Sequence, residues 1–156
     1  MKRFTRIHTI ALTLLLLLGS IPAAAAGDRP FALNGLGVST FITDSAGNII
    51  GANATGSGTA THLGRWTVNG GVVTFTPGNG GLQSHGEATI TAANGDTLNM
   101  ILDGALNLNT FTDQGVIQFG GGTGRFAGAS GTGAYVVTVD PATNGFELTV
   151  VARINY

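Results

Sequence analysis

Apolar residues recur two apart, in short segments bounded by Gly and Asn, along nearly the whole of residues 27–156. A period of two puts alternate side chains on opposite faces of a strand, and no comparable stretch repeats at the helical spacing. Eight segments follow, roughly 31–42, 48–58, 59–68, 71–77, 85–93, 96–108, 114–120 and 132–155, the last split by a turn so that eight or nine strands result. Asn94-Gly95 predicts a two-residue hairpin with both residues at positive φ, and Asn69-Gly70-Gly71 and the stretch Asp140 to Gly145 predict two more hairpins. Consecutive hairpins without crossover helices make an antiparallel meander. One this long closes on itself, because closure removes the unpaired edges. The expected fold is therefore all-β, a single closed antiparallel barrel of about eight strands.

The residues before this domain read differently. Lys2, Arg3 and Arg6 precede an apolar run from Ile10 to Leu18, followed by Gly19, Ser20, Pro22 and Ala23 to Ala26. That is the order of a secretory signal peptide, and the run is shorter than the roughly 20 residues that span a bilayer. The expected division is a leader over 1–26, cut after Ala26, and a barrel over 27–156, secreted or periplasmic. With no Cys in the chain there is neither a lipid-anchor cysteine nor a disulfide. Once the leader is gone, Arg29, Arg65, Arg125 and Arg153 face Asp28, Asp44, Glu87, Asp96, Asp103, Asp113, Asp140 and Glu147, a formal charge of −4 with no Lys. Such a chain lacks the basic footprint that nucleic acid requires. Of the 26 glycines only Gly19 lies in the leader, so the domain is rich in tight bends while Val, Ile, Leu and Phe still recur enough to build a core.

Alternation also assigns faces. Leu98, Met100, Leu102, Leu106 and Leu108 share one side of their strand, and Phe146, Leu148, Val150, Ala152, Ile154 and Tyr156 one side of theirs; both sets are expected inside. The same rule applied to Ala60, His62, Gly64, Trp66 and Val68 turns His62 and Trp66 inward, making His62 the most conspicuous interior polar group. It can serve as a ligand's hydrogen-bond partner and proton shuttle, or as a core histidine bonded to a carbonyl. His85 and Glu87 fall on the outer face by the alternation of Ala88, Ile90 and Ala92, where they form a solvated pair. With His8 in the leader, the remaining histidines cannot build a histidine-rich metal site, and no cofactor is implied. Gly122-Thr123-Gly124-Arg125-Phe126-Ala127 matches G-x-G-x-x-A after a strand, but a dinucleotide site needs a helix there, and more glycine and another strand follow. The segment reads instead as a turn whose glycines take positive φ while Phe126 plugs the end of the barrel. Ser57 and Ser130 lack a nucleophile-elbow frame, and Asn53-Ala54-Thr55 is a formal glycosylation sequon without further support.

The stretch from Gly120 to Gly131, reading GGGTGRFAGASG, resembles the glycine-rich segment before the penultimate strands of the allene oxide cyclase and dirigent barrel superfamily. Together with Ala60-Thr61-His62-Leu63-Gly64-Arg65-Trp66 and Ala92-Ala93-Asn94-Gly95-Asp96-Thr97-Leu98, it is also similar to small secreted bacterial proteins of uncharacterised role, over about residues 59–140. The resemblance implies the barrel. It implies as functions isomerisation of a fatty-acid epoxide, steering of phenoxy-radical coupling or cyclisation of polyketides; the catalytic motifs of those groups do not map onto this chain, so no catalytic residue is assigned.

Barrels of about eight strands can enclose one small ligand. The interior expected here is apolar with few polar handles, and its ligand-contacting set is His62, Trp66, Phe75, Met100, Phe119 and Tyr135. Three functions compete: a binder of a small apolar molecule, with or without an isomerase or cyclase activity; a structural or surface-interaction module packed solid; and a transmembrane barrel. Outward Thr, Asn, Asp and Glu where lipid would need an apolar band argue against the last. An interior space on the order of several hundred cubic ångströms would favour the binder and a filled one the module.

Overall fold

The computed structural model describes residues 28–79 and 81–156, so the leader read at 1–26 lies outside the described residues. Eight strands follow one another: β1 (Arg29–Thr43), β2 (Ile49–Ala60), β3 (Gly64–Gly78), β4 (Gly81–Ala92), β5 (Thr97–Asn107), β6 (Thr112–Gly122), β7 (Ser130–Val139) and β8 (Gly145–Asn155). Each pairs antiparallel with the next, and β8 pairs with β1 to close the barrel. The only helical turn among the described residues is a 3₁₀ turn, Gly124–Phe126, between β6 and β7. No described helix is long and apolar enough to cross a membrane.

The expected faces hold over most strands. Phe146, Leu148, Val150, Ala152 and Ile154 are buried along β8, and Leu98, Met100 and Leu106 along β5. Leu108 does not follow them: β5 ends at Asn107, the chain turns, and the side chain is 42% exposed.

The largest departure lies between β2 and β3. The chain does not run straight through 59–68; it turns at Thr61, His62 and Leu63, with His62 at φ 69°. The expected hairpin at Asn69-Gly70-Gly71 is instead a bulge inside β3, where Val68 opposes Ile90 but Val72 opposes Glu87. Gly70, at φ 83°, is the extra residue, as in bulges whose first residue is a left-handed glycine. One inserted residue reverses the phase of the strand. Trp66 and Val68 point inward before the bulge, Gly71, Val73 and Phe75 after it. The segments 59–68 and 71–77 thus merge into one strand, which settles the count at eight.

Asn94-Gly95 is a turn, but of a different type from the one expected. Only Gly95 takes positive φ (90°), its N–H donating to Ala92 O at 2.9 Å while Ala92 N–H donates to Asp96 O at 2.8 Å. That is a three-residue loop with glycine in the left-handed position, which leaves Asn94 free to cap the turn through Asp96.

The barrel is packed solid at one end. Phe31 meets Phe119 edge-on at 4.8 Å, and Phe126 comes up from the 3₁₀ turn to lie 5.0 Å from the Tyr156 ring. Gly35, at an inward position of β1, leaves the space that the Trp66 indole fills, since a Cβ there would overlap its Cζ2 and Cη2. The mouth of the barrel is at the other end, beneath the turns after β1, β3, β5 and β7.

Candidate functional site

The mouth half of the interior is not filled. A cavity of about 110 Å³ lies there, floored by Trp66 and walled by Phe41, Phe75, Met100, Val137 and Phe146. That is room for three or four waters at roughly 30 Å³ each, or for a single aromatic ring. It falls between the two expected outcomes, being smaller than the space of a drug-sized pocket and larger than the gaps of a packed core.

Its lining is apolar apart from Ser39, Glu87, Asp113 and Tyr135, and the polar groups of β4, β6 and β7 meet in one cluster. On successive strands Ser84, Gly104, Gly115 and Tyr135 stand opposite one another in a single row. The two glycines leave the wall bare between Ser84 and Tyr135, and a Cβ on Gly104 would overlap the tyrosine hydroxyl. Tyr135 therefore lies along the wall and brings its OH within 3.2 Å of Ser84 Oγ. Asp113, two residues before Gly115 on the same face of β6, joins them: Ser84 Oγ donates to its Oδ1 at 2.8 Å and Tyr135 OH donates to the same oxygen at 3.1 Å. Oδ2 receives no hydrogen bond from the described residues. Asp113 is only 9% exposed, and burial raises its carboxyl above the ordinary value against the opposing pull of the two hydroxyls. Burial likewise pushes the Tyr135 phenol up, so it stays a donor.

An elevated acid costs stability over a defined pH range. The folded chain holds the Asp113 proton more tightly than the unfolded chain, so stability falls as pH rises from the ordinary value of 3.8 through the folded value. Asp113→Asn keeps an oxygen for Ser84 and Tyr135 and removes the charge. The variant is expected to melt above the wild type at neutral pH, with the gap closing toward zero below pH 3.8. Paired melting curves from acid to neutral pH measure this, and a variant that melts lower at pH 7 would contradict it.

The residues expected at the site divide. Trp66, Phe75, Met100 and Tyr135 line the cavity. Phe119 is buried but belongs to the packed end against Phe31. His62 is not in the interior: it sits in the β2–β3 turn at the closed end, its Nε2 3.1 Å from Pro30 O and its ring 5.6 Å from that of Tyr156. Alternation carried through a turn assigned it the wrong side, and the polar handle it was to supply comes from Asp113 and Ser84. Both lay one residue outside the strands read from the sequence, at 114–120 and 85–93. Counting back by twos from Phe119, Ile117 and Gly115, or from Ala88 and Gly86, reaches them.

His85 and Glu87 are on the outer face as expected, with the closer partner Asp103 on β5: His85 Nδ1 stands 2.6 Å from its Oδ1, and Glu87 is 3.7 Å away. The Asp103 hydrogen bond raises the histidine's pKa. The glycine-rich segment holds no dinucleotide geometry; its 3₁₀ turn joins two antiparallel strands and delivers Phe126 to the barrel end.

No family model and no curated protein matches the chain in sequence. Among solved structures it is similar to a pterocarpan synthase dirigent protein, with a TM-score of 0.56 and 13% identity over 83% of this chain and 86% of that one. At that identity the likeness is one of architecture, and it shows that this chain has the dirigent-like fold, an eight-stranded closed antiparallel barrel.

Proposed function

We propose that this is an exported barrel that binds a small, ring-sized molecule in the cavity beneath its mouth, with Asp113 as the polar anchor. One observation carries the reading: a carboxyl group is kept in a largely apolar interior with one oxygen bonded to two hydroxyls and the other open. A module packed solid gains nothing from a group whose burial is costly, and an apolar residue would fill the space better. The isomerisation or cyclisation that the superfamily resemblance implies would use the same place, with Asp113 the group able to take or return a proton to a confined substrate.

Benzyl alcohol matches the cavity in size and tests the binding. It is expected to raise the melting temperature of the wild type, because a ligand of the folded state adds RT ln(1 + [L]/Kd) to stability. Ala88→Leu, which extends a side chain into the space, is expected to abolish the rise. No response in the wild type, or the same response in both proteins, would favour the packed module.

Export is the second part of the proposal, supported by the order of basic, apolar and small residues in 1–26. The likeness of residues 59–140 to small secreted bacterial proteins supports the same reading. The mature chain is expected in the periplasm or medium with Gly27 as its first residue. N-terminal sequencing checks the cut, and a chain recovered only from detergent-extracted membranes would overturn the proposal.

A further inference from the structure

The charges of the barrel are sorted along its axis. All four arginines among the described residues lie at the closed end: Arg29 opens β1, Arg65 is second in β3, Arg125 is in the 3₁₀ turn and Arg153 is third from the end of β8. Three of them have partners there. Arg29 lies over the Tyr156 ring at 4.8 Å, Arg125 is 3.7 Å from Asp96 and Arg153 is 4.0 Å from Asp28. The mouth carries the opposite sign. Asp44 and Asp140 occupy two of its turns; hydrogen bonds from the Asn48 side-chain amide and backbone N–H groups hold the first carboxyl below the ordinary value, and those from the Ala142 N–H and the Thr143 hydroxyl the second, so both are charged at neutral pH. Glu147 is third in β8, and Asp113 is second in β6. No arginine, lysine or histidine lines the cavity.

This distribution selects among ligands of one size. An anion would have to pass Asp44 and Asp140 and then face Asp113 with no counter-charge. A neutral molecule would leave the buried carboxyl unbalanced. A cation is attracted by the mouth, balances Asp113, and can rest on the faces of Phe41, Phe75 and Phe146, rings of the kind that hold ammonium groups. We propose that the cavity takes a small organic cation, an ammonium group joined to about one ring of apolar surface, with the ammonium against Oδ2 of Asp113. The inference rests on the binding reading above and specifies its ligand class.

The binding should depend on pH through Asp113. The groups facing it are Tyr135 from β7, Ser84 from β4 and, nearby in the mouth, Ser39 from β1; β5 presents Gly104 and Leu106, and its Asp103 lies on the outer side of the wall with His85, as does the exposed carboxylate of Glu87 from β4, which borders the cavity. Tyr135 stays protonated throughout the working range, so the carboxyl is the interior group that titrates. Affinity for a permanently protonated amine should rise as pH rises through the Asp113 pKa, and affinity for a neutral probe should not.

Calorimetric titration of the mature chain with benzylamine, benzyl alcohol and benzoate, in low salt at pH 7 and again near pH 4, tests the inference. Benzylamine is expected to bind about tenfold or more tighter than benzyl alcohol, with benzoate weakest, as a nearby opposite charge in a half-enclosed site requires. Asp113→Asn is expected to cost benzylamine about tenfold or more and to change benzyl alcohol by less than about threefold. Benzyl alcohol binding as tightly as benzylamine, or a benzylamine affinity indifferent to Asp113→Asn, would overturn the cation while leaving a binding cavity. Failure of all three probes would overturn the cavity reading itself. If Asp113→Asn does not fold, the order of the three probes on the wild type decides the matter.

Discussion

Trp66→Ala is expected to lower the stability of the barrel by about 3–5 kcal/mol, the range for deleting a large aromatic from a core that cannot collapse around the gap. The indole is 2% exposed and stands on β3 where the packed end gives way to the cavity. Its far edge occupies space that Gly35 leaves open on β1. A closed sheet has no free edge along which strands could slide inward, so the vacated volume should join the existing cavity. Two consequences separate this account from a general loss of hydrophobic area. The variant, if folded, should accept naphthyl-sized probes that the wild type excludes. Trp66→Phe should cost much less than its lost area implies, because Trp66 Nε1 is buried without a hydrogen-bond partner among the described residues, and removing it relieves an unsatisfied donor. Urea unfolding of the three proteins measures this. A Trp66→Ala cost near 1 kcal/mol would mean that the cavity floor is pliable, contrary to the packing described.

Most of the barrel was legible because a sheet records its faces in the sequence. Along β8 each second residue from Phe146 to Ile154 is buried, as alternation requires. The errors arose where the period of two is interrupted without an apolar signal. Thr61-His62-Leu63 contains neither Gly nor Pro, so nothing local marked it as a turn, yet it ends with Gly64 at φ 69°. Asn69-Gly70-Gly71 has strong turn chemistry, yet its glycine is used for a bulge. Gly-containing pairs report positive φ, and both hairpins and bulges use positive φ; only the partner strand's register distinguishes them. The site was partly hidden for a related reason. The segments read at 85–93 and 114–120 begin one residue after Ser84 and Asp113, inward polar positions that no apolar signal marks. The row of Gly104 and Gly115 that lets Tyr135 reach Ser84 becomes visible only once the four strands are in register.

Phe126→Ala is expected to cost about 3–5 kcal/mol while leaving the mouth cavity unaltered in any molecules that fold. Phe126 is fully buried although it belongs to a three-residue 3₁₀ turn on a connection that would otherwise lie at the surface. It closes the barrel end against Tyr156 at 5.0 Å, with the Arg125 guanidinium 5.2 Å from its ring. The flanking glycines set the path by which it gets there. Gly124 has φ 56°, and a Cβ on it would overlap the Asp96 carboxylate that Arg125 also approaches, so Gly124→Ala should be destabilising as well, through strain and displacement of that ion pair. Gly128, two residues past the plug, has no positive φ, and a Cβ on it would meet no atom within 4 Å, so Gly128→Ala should be nearly neutral. Equilibrium unfolding of Phe126→Ala, Gly124→Ala and Gly128→Ala, with benzyl alcohol titrated into each, reads both ends of the barrel at once. The expected pattern is two large losses and one small change, with probe affinity unchanged in the folded fraction of all three. If Phe126→Ala weakened the probe as much as it weakened the fold, the closed end and the mouth would be one cooperative unit, and the division of the interior into a packed half and a binding half would fail.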